Sequence, residues 1–117
     1  MASTHVAHDC IVGDNVIMSN LSTLGGHVEV GDWAILGGGV LVHQFTKIGP
    51  HVLIGGGFRA VQDVPPFILA ADHPIKYKGV NIVGLKRRGF SSEEIKSVKK
   101  IYKIYFKSNL NSGDALN

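Results

Sequence analysis

His8, Asp9, Gly26, His27, His43 and Gln44 are the residues of this 117-residue chain whose types and spacing could support group transfer. His8, Gly26 and Gln44 stand 18 residues apart, as do Asp9, His27 and Phe45, and as do Ala7, Gly25 and His43. If the backbone repeats its path every 18 residues, these are three adjacent columns on one edge of the molecule, with His5 just before them. A histidine followed by an aspartate offers a base whose tautomer a carboxylate can hold. A glycine beside it offers a backbone N–H with no side chain over it, able to reach a developing oxyanion. No serine or cysteine is spaced as a nucleophile, and Cys10 falls on an inward position, where it reads as an inert core thiol. A histidine base without a protein nucleophile suits direct attack by a substrate hydroxyl or amine on an activated acyl group. The plain alternatives stay open here: corner histidines and glutamine that simply face water, and Gly26 as a turn residue. His51 and His73 lie outside the corner and read as structural.

The 18-residue path is itself legible. Val6, Val12, Met18, Leu24, Val30, Leu36, Val42, Ile48 and Ile54 are aliphatic at every sixth position. The next residue is usually glycine, and a small or β-branched residue usually follows four after the aliphatic. Neither the 3.6 period of a helix nor the alternation of a strand makes this lattice, whereas hexapeptide β-helix repeats do. Each hexad is read as a short strand and a turn, three hexads as one triangular coil, and the coils stack at the ~4.8 Å strand spacing. Residues 6–59 give three coils, the aliphatic filling the prism and the glycine opening each corner. The Val64-Pro65-Pro66 sequence predicts the end of strand pairing, because proline has no N–H for a ladder. The expected organisation is a mainly β chain with a parallel β-helix over 1–64, a loop or extended connector over 65–91, and a C-terminal helical segment over 92–117. Ser91 and Glu94 form a capping box, and Ile95, Val98, Ile101, Tyr102 and Tyr105 share one apolar face, so a helix is expected over about 92–107. A second possible helix start lies near Ser112.

Composition narrows the class. At this length, with 44% hydrophobic and 18% charged residues, the chain fits one globular domain. It shows no membrane span and no basic-then-apolar leader, and its single cysteine fits a reducing compartment, so a cytoplasmic protein is expected. Residues 1–62 carry two basic and four acidic side chains, whereas 63–117 carry ten basic and five acidic. The basic excess lies in a short cluster and along one amphipathic stretch, without the signature of a nucleic-acid module, and suits a nucleotide phosphate or an acidic partner protein better than a nucleic-acid polymer.

His5-Val6-Ala7-His8-Asp9-Cys10, Gly25-Gly26-His27-Val28, Val42-His43-Gln44-Phe45, Gln62-Asp63-Val64-Pro65-Pro66 and Gly84-Leu85-Lys86-Arg87-Arg88-Gly89-Phe90 together resemble one family. It is the acyl-carrier-protein–UDP-N-acetylglucosamine O-acyltransferase of lipid A biosynthesis, matched by its C-terminal portion from about residue 3 to about residue 108. The resemblance implies a left-handed parallel β-helix, a homotrimer, and active sites between neighbouring subunits, with no cofactor. It implies that His8 is the general base for the sugar 3-hydroxyl, that Asp9 supports it, and that the Gly26 amide is the oxyanion donor. It implies substrate positioning by His5, His27, His43 and Gln44, nucleotide-sugar contacts from Asn81, Arg87 and Arg88, and a limit on acyl-chain length at Gly56. Lys47, Arg59 and the helix lysines are the expected grip on the acidic carrier protein.

The chain also departs from the family pattern. Family members carry further coils before the equivalent of Val6 and more helix at the other end, so the chain reads as a fragment. Val83 stands where an acidic residue is common. Three other readings remain at this stage: another hexapeptide-repeat sugar N- or O-acyltransferase, a γ-type carbonic anhydrase using the corner histidines for zinc, and a non-catalytic β-helix fragment.

Overall fold

A computed structural model describes residues 4–72 and 75–108. His73 and the possible helix start near Ser112 lie outside the described residues. Ten two-residue strands follow at six-residue intervals: β1 (His5–Val6), β2 (Ile11–Val12), β3 (Ile17–Met18), β4 (Thr23–Leu24), β5 (Glu29–Val30), β6 (Ile35–Leu36), β7 (Leu41–Val42), β8 (Lys47–Ile48), β9 (Leu53–Ile54) and β10 (Arg59–Ala60). Every third strand stacks in parallel, giving the faces β1-β4-β7-β10, β2-β5-β8 and β3-β6-β9. Val6 registers with Leu24, Leu24 with Val42, and Val42 with Ala60. The expected parallel β-helix is present.

The interior follows from the lattice. Leu24, Leu36, Val42 and Ile54 are wholly buried, and Val28, Val40 and Val52 fill the space between them. The first coil differs, because Val6 and Val12 are 46% and 42% exposed where Leu24 and Val30, stacked above them, are 0% and 3%. No described residue covers that coil from below.

The glycines have another role than the expected one. The left-handed backbone at each corner belongs to the residue two places after the glycine position, among them Asp9 (φ 58°), His27 (φ 58°), Trp33 (φ 65°), Phe45 (φ 64°) and His51 (φ 58°). The glycines give clearance instead. A Cβ on Gly25 would lie 2.7 Å from the Gln44 nitrogen, and one on Gly31 would lie 2.5 Å from that of Pro50.

The coils also continue past the expected stop at residue 64. Strand N–H groups donate to carbonyls one coil on, as Ala7 does to Leu24, Gly25 to Val42 and His43 to Ala60, so the last coil presents its N–H groups off the end of the stack. Pro65 sits where such an N–H would have no coil to meet. Pro66 takes the first corner position, which Pro50 also occupies and whose N–H the ladder does not use. Gly49 still donates to the Val64 carbonyl and Phe67 to that of Pro50, and β11 (Ile68–Ala71) stacks parallel on β9. A fourth, partial coil results. The expected connector is therefore largely regular: β11 pairs antiparallel with β12 (Lys76–Val80), and a short helix, α1 (Ile82–Arg87), follows.

Helix α2 (Ser92–Ser108) begins at the expected capping box, where Glu94 N donates to Ser91 Oγ and Ser91 N to Glu94 Oε1. Ile95 and Tyr102 are buried, and the Tyr102 hydroxyl donates to the Pro66 carbonyl. Ile101 and Tyr105, expected on the buried face, are exposed instead. They overhang a groove of about 790 Å³ against Ile48, Val64 and Pro65, away from the histidine corner.

Burial dictates unequal responses to truncation along the column of lattice aliphatics. Leu36→Ala should cost about 2–5 kcal/mol in urea unfolding, whereas Val12→Ala, on the uncovered coil, should cost less than about 1 kcal/mol.

Candidate active site

The corner at residues 8–9, 26–27 and 44–45 is built by the ladder that stacks the coils. His27 N donates to the His8 carbonyl and Phe45 N to that of Gly26, which brings side chains from successive coils together. Because Asp9, His27 and Phe45 hold left-handed φ values, at a cost of about 1–2 kcal/mol each, the chain turns sharply while retaining functional side chains there.

His8 Nδ1 lies 3.1 Å from Asp9 Oδ2. Beside a carboxylate, which only accepts, Nδ1 is the protonated nitrogen, and Nε2 keeps the free lone pair. His27 Nε2 approaches the same carboxylate oxygen at 3.8 Å. The His8 and His27 rings meet edge to face at 5.1 Å, and Phe45 stacks on His27 at 4.7 Å with an interplanar angle of 2°. His8 and Asp9 are open to solvent. Gly26 is buried beneath the His8 ring, and a Cβ there would meet His8 Cε1 and Nε2 at 3.0 Å. Among the described residues the Gly26 N–H has no acceptor. At the equivalent place on another corner, Asp14 N donates to the Asp32 carboxylate one coil up. The corner thus combines an imidazole beside a carboxylate with a backbone amide that has no acceptor among the described residues.

His43 and Gln44 are exposed on the same corner, one coil above Gly26, and His5 lies on the strand that leads into it. Cys10 is half-buried, packs against the core and donates from Sγ to the Gly25 carbonyl at 3.1 Å. Among the described residues, His8, Asp9 and His27 offer ligand atoms within 4.8 Å of one another and form the group that could hold a metal ion.

The remaining candidates are not brought to this corner. Gly56 lies on a second corner, stacked over Gly38 and exposed. Asn81, Arg87 and Arg88 lie by a third, that of Asp32, Trp33, Pro50 and His51. Asn81 is only 5% exposed and caps α1: its Oδ1 accepts from Gly84 N, and its Nδ2 donates to the His51 carbonyl. It is a fastening of α1 to the solenoid, not an open contact. Arg87 is exposed, while Arg88 is half-buried over the Trp33 ring, its guanidinium carbon 5.5 Å from the centroid. Trp33 is not singled out in the sequence and His51 reads there as structural, although the 18-residue spacing puts them in one column. Lys47 pairs loosely with Glu29 at 4.0 Å, and Arg59 is exposed on β10.

Stacked hexapeptide coils with a histidine–carboxylate pair on one corner define a hexapeptide-repeat β-helix protein. The family model described as "Udp N-acetylglucosamine O-acyltransferase; Domain 2" matches residues 63–117. The acyl-[acyl-carrier-protein]–UDP-N-acetylglucosamine O-acyltransferase of Burkholderia mallei is 47% identical over 115 residues, covering 98% of this chain and 44% of that protein. The protein of the same name from Thiobacillus denitrificans is 51% identical over 107 residues, covering 92% and 42%. The structure of LpxA from Acinetobacter baumannii superposes with a TM-score of 0.85 at 43% identity, covering 89% of this chain and 40% of that one. The chain belongs to the UDP-N-acetylglucosamine O-acyltransferase family and has its left-handed parallel β-helix. It spans just under half the length of the curated relatives it matches.

Contact between Gly26 and the His8 ring gives a direct check on this geometry. Gly26→Ala should leave the fold intact and shift the His8 and His27 Hε1 resonances in proton NMR, while that of His51, on another corner, stays within about 0.05 ppm.

Proposed function

We propose that the chain carries the catalytic corner of an acyltransferase that moves an acyl group, such as a 3-hydroxyacyl chain, from acyl carrier protein to the 3-hydroxyl of UDP-N-acetylglucosamine. This is the first step of lipid A biosynthesis. The observation that carries the reading is the His8–Asp9 pair lying over the Gly26 backbone, whose N–H has no acceptor among the described residues. It is supported by relatives of that name at about half identity.

In this reading His8 Nε2 takes the proton of the sugar hydroxyl as its oxygen attacks the thioester carbonyl. The tetrahedral oxyanion is met by the Gly26 N–H, a donor worth about 3–4 kcal/mol in the transition state. Collapse expels the carrier thiolate, and the imidazolium returns the proton to it, so no group remains on the protein. Asp9 holds the Nδ1–H tautomer and stabilises the transient positive charge. His5, His27, His43 and Gln44 position the sugar and the acyl group, and Gly56 leaves room for the chain. Arg87 and Arg88 receive the diphosphate, for which paired guanidinium donors are suited.

The candidates lie on three corners, which favours a homotrimer whose neighbouring subunits bring one chain's histidines to another's arginines. A groove of about 680 Å³ lined by Tyr77, Lys78, Lys99, Lys100 and Lys103 suits an acidic carrier protein. The thioester substrate and the single free cysteine suit a cytoplasmic setting.

His8→Ala in the assembled enzyme should lower turnover by about 10²–10⁴-fold and leave UDP affinity within about twofold. Near-normal turnover would place the base elsewhere. The corner histidines keep a γ-type carbonic anhydrase as the alternative, and stoichiometric zinc in protein prepared without added metal would favour it.

A further inference from the structure

Arg88 is held from two sides. Its Nη1 lies 3.2 Å from His51 Nδ1, and its guanidinium lies over the Trp33 ring. A guanidinium can only donate, so Nδ1 of His51 carries the lone pair and His51 is neutral in this arrangement. The imidazole is itself clamped, stacked on Phe67 at 5.6 Å and set edge to face against Phe90 at 5.0 Å, while its carbonyl receives the Asn81 amide. Gly84 provides the clearance: a Cβ there would lie 2.6 Å from Asn81 Nδ2 and 3.0 Å from Arg88 Nη1. The elements converging here are one solenoid corner across three successive coils, the loop after α1 and α1 itself.

We propose that neutral His51 is the positioning residue for Arg88, fixing the guanidinium against Trp33 for a nucleoside diphosphate, and that protonation of His51 releases it. The choice of ligand rests on the proposed function; the clamp does not. A protonated Nδ1 no longer accepts, and the imidazolium then faces Arg88, with Arg87 adjacent, as a like charge. Asp32 is the opposing carboxylate. Burial first and Arg88 second hold the His51 pKa below its ordinary value, against the pull of Asp32. Folding therefore favours neutral His51. The stability this contributes is complete above about pH 6.5 and is lost as the pH falls below that value toward the folded-state pKa.

Trp33 is the only tryptophan in the chain, so its fluorescence reports on the guanidinium above it. In wild-type protein that emission should titrate with a midpoint below about pH 6.5. The transition should vanish in His51→Gln, which keeps an acceptor, and in His51→Phe, which keeps the aromatic packing, with thermal melts confirming that both variants fold. At pH 8, calorimetry with UDP should show His51→Phe binding about tenfold more weakly than wild type, and His51→Gln recovering affinity to within about threefold. A fluorescence transition that persists in both variants would overturn the clamp, as would unchanged UDP affinity in His51→Phe. If wild-type protein shows the transition but binds no UDP, the clamp stands and the assigned substrate is wrong.

Discussion

The structure depends on one hydrogen-bond register: a strand N–H meets a carbonyl one coil further along the chain, 17 residues on, as from Gly25 to Val42. This bond sets which residues become neighbours. It stacks aliphatic on aliphatic inside the prism and corner on corner outside it, so the core and the site share one cause. A single inserted residue would turn inward side chains outward and pull His27 away from Asp9 together. The ladder is also directional, with carbonyls toward the first coil and N–H groups toward the last. That polarity is why two consecutive prolines can stand in the final coil without ending it.

The same register limits what one chain can do. Every corner requires a residue with left-handed φ, and most corners place a bulky side chain there, so backbone strain does not distinguish the chemical corner from the others. What distinguishes it is composition: an imidazole, a carboxylate and a second imidazole in contact, with a glycine amide below that has no acceptor among the described residues. Gly56 is held on another corner by the same ladder, and Arg88 is held beside a third by its side-chain contacts to His51 and Trp33. In the proposed transfer a base and an anion-binding arginine from separate corners face one substrate, an arrangement that neighbouring copies of the chain would supply.

Much of this was legible in the residues. The six-residue aliphatic lattice gives the coils, and the 18-residue spacing places Asp9 beside His27 and Gly26 beside His8. Ser91 and Glu94 mark the start of α2 correctly because a capping box is local. The parts that were not legible depend on distant or directional bonds. The continuation through Ile68–Ala71 follows from where the last coil's N–H groups point, which the residue type of Pro65 does not encode. Asn81 looks like a polar surface residue until α1 folds it against His51, and the contact between Arg88 and His51 spans 37 residues. The placing of Gly56 on a different corner from His8, by contrast, was implicit in the period.

The central claim is that the transfer site is shared, with His8 and Arg88 supplied by different copies. It is tested most directly by mixing two inactive variants, His8→Ala and Arg88→Ala, unfolding and reassembling them together, and assaying acyl transfer from acyl carrier protein to UDP-N-acetylglucosamine. Random assembly at equal amounts should restore about one quarter of wild-type turnover, since about one interface in four then joins an intact His8 to an intact Arg88. Mixed oligomers that form but remain as inactive as either variant alone would contradict the account.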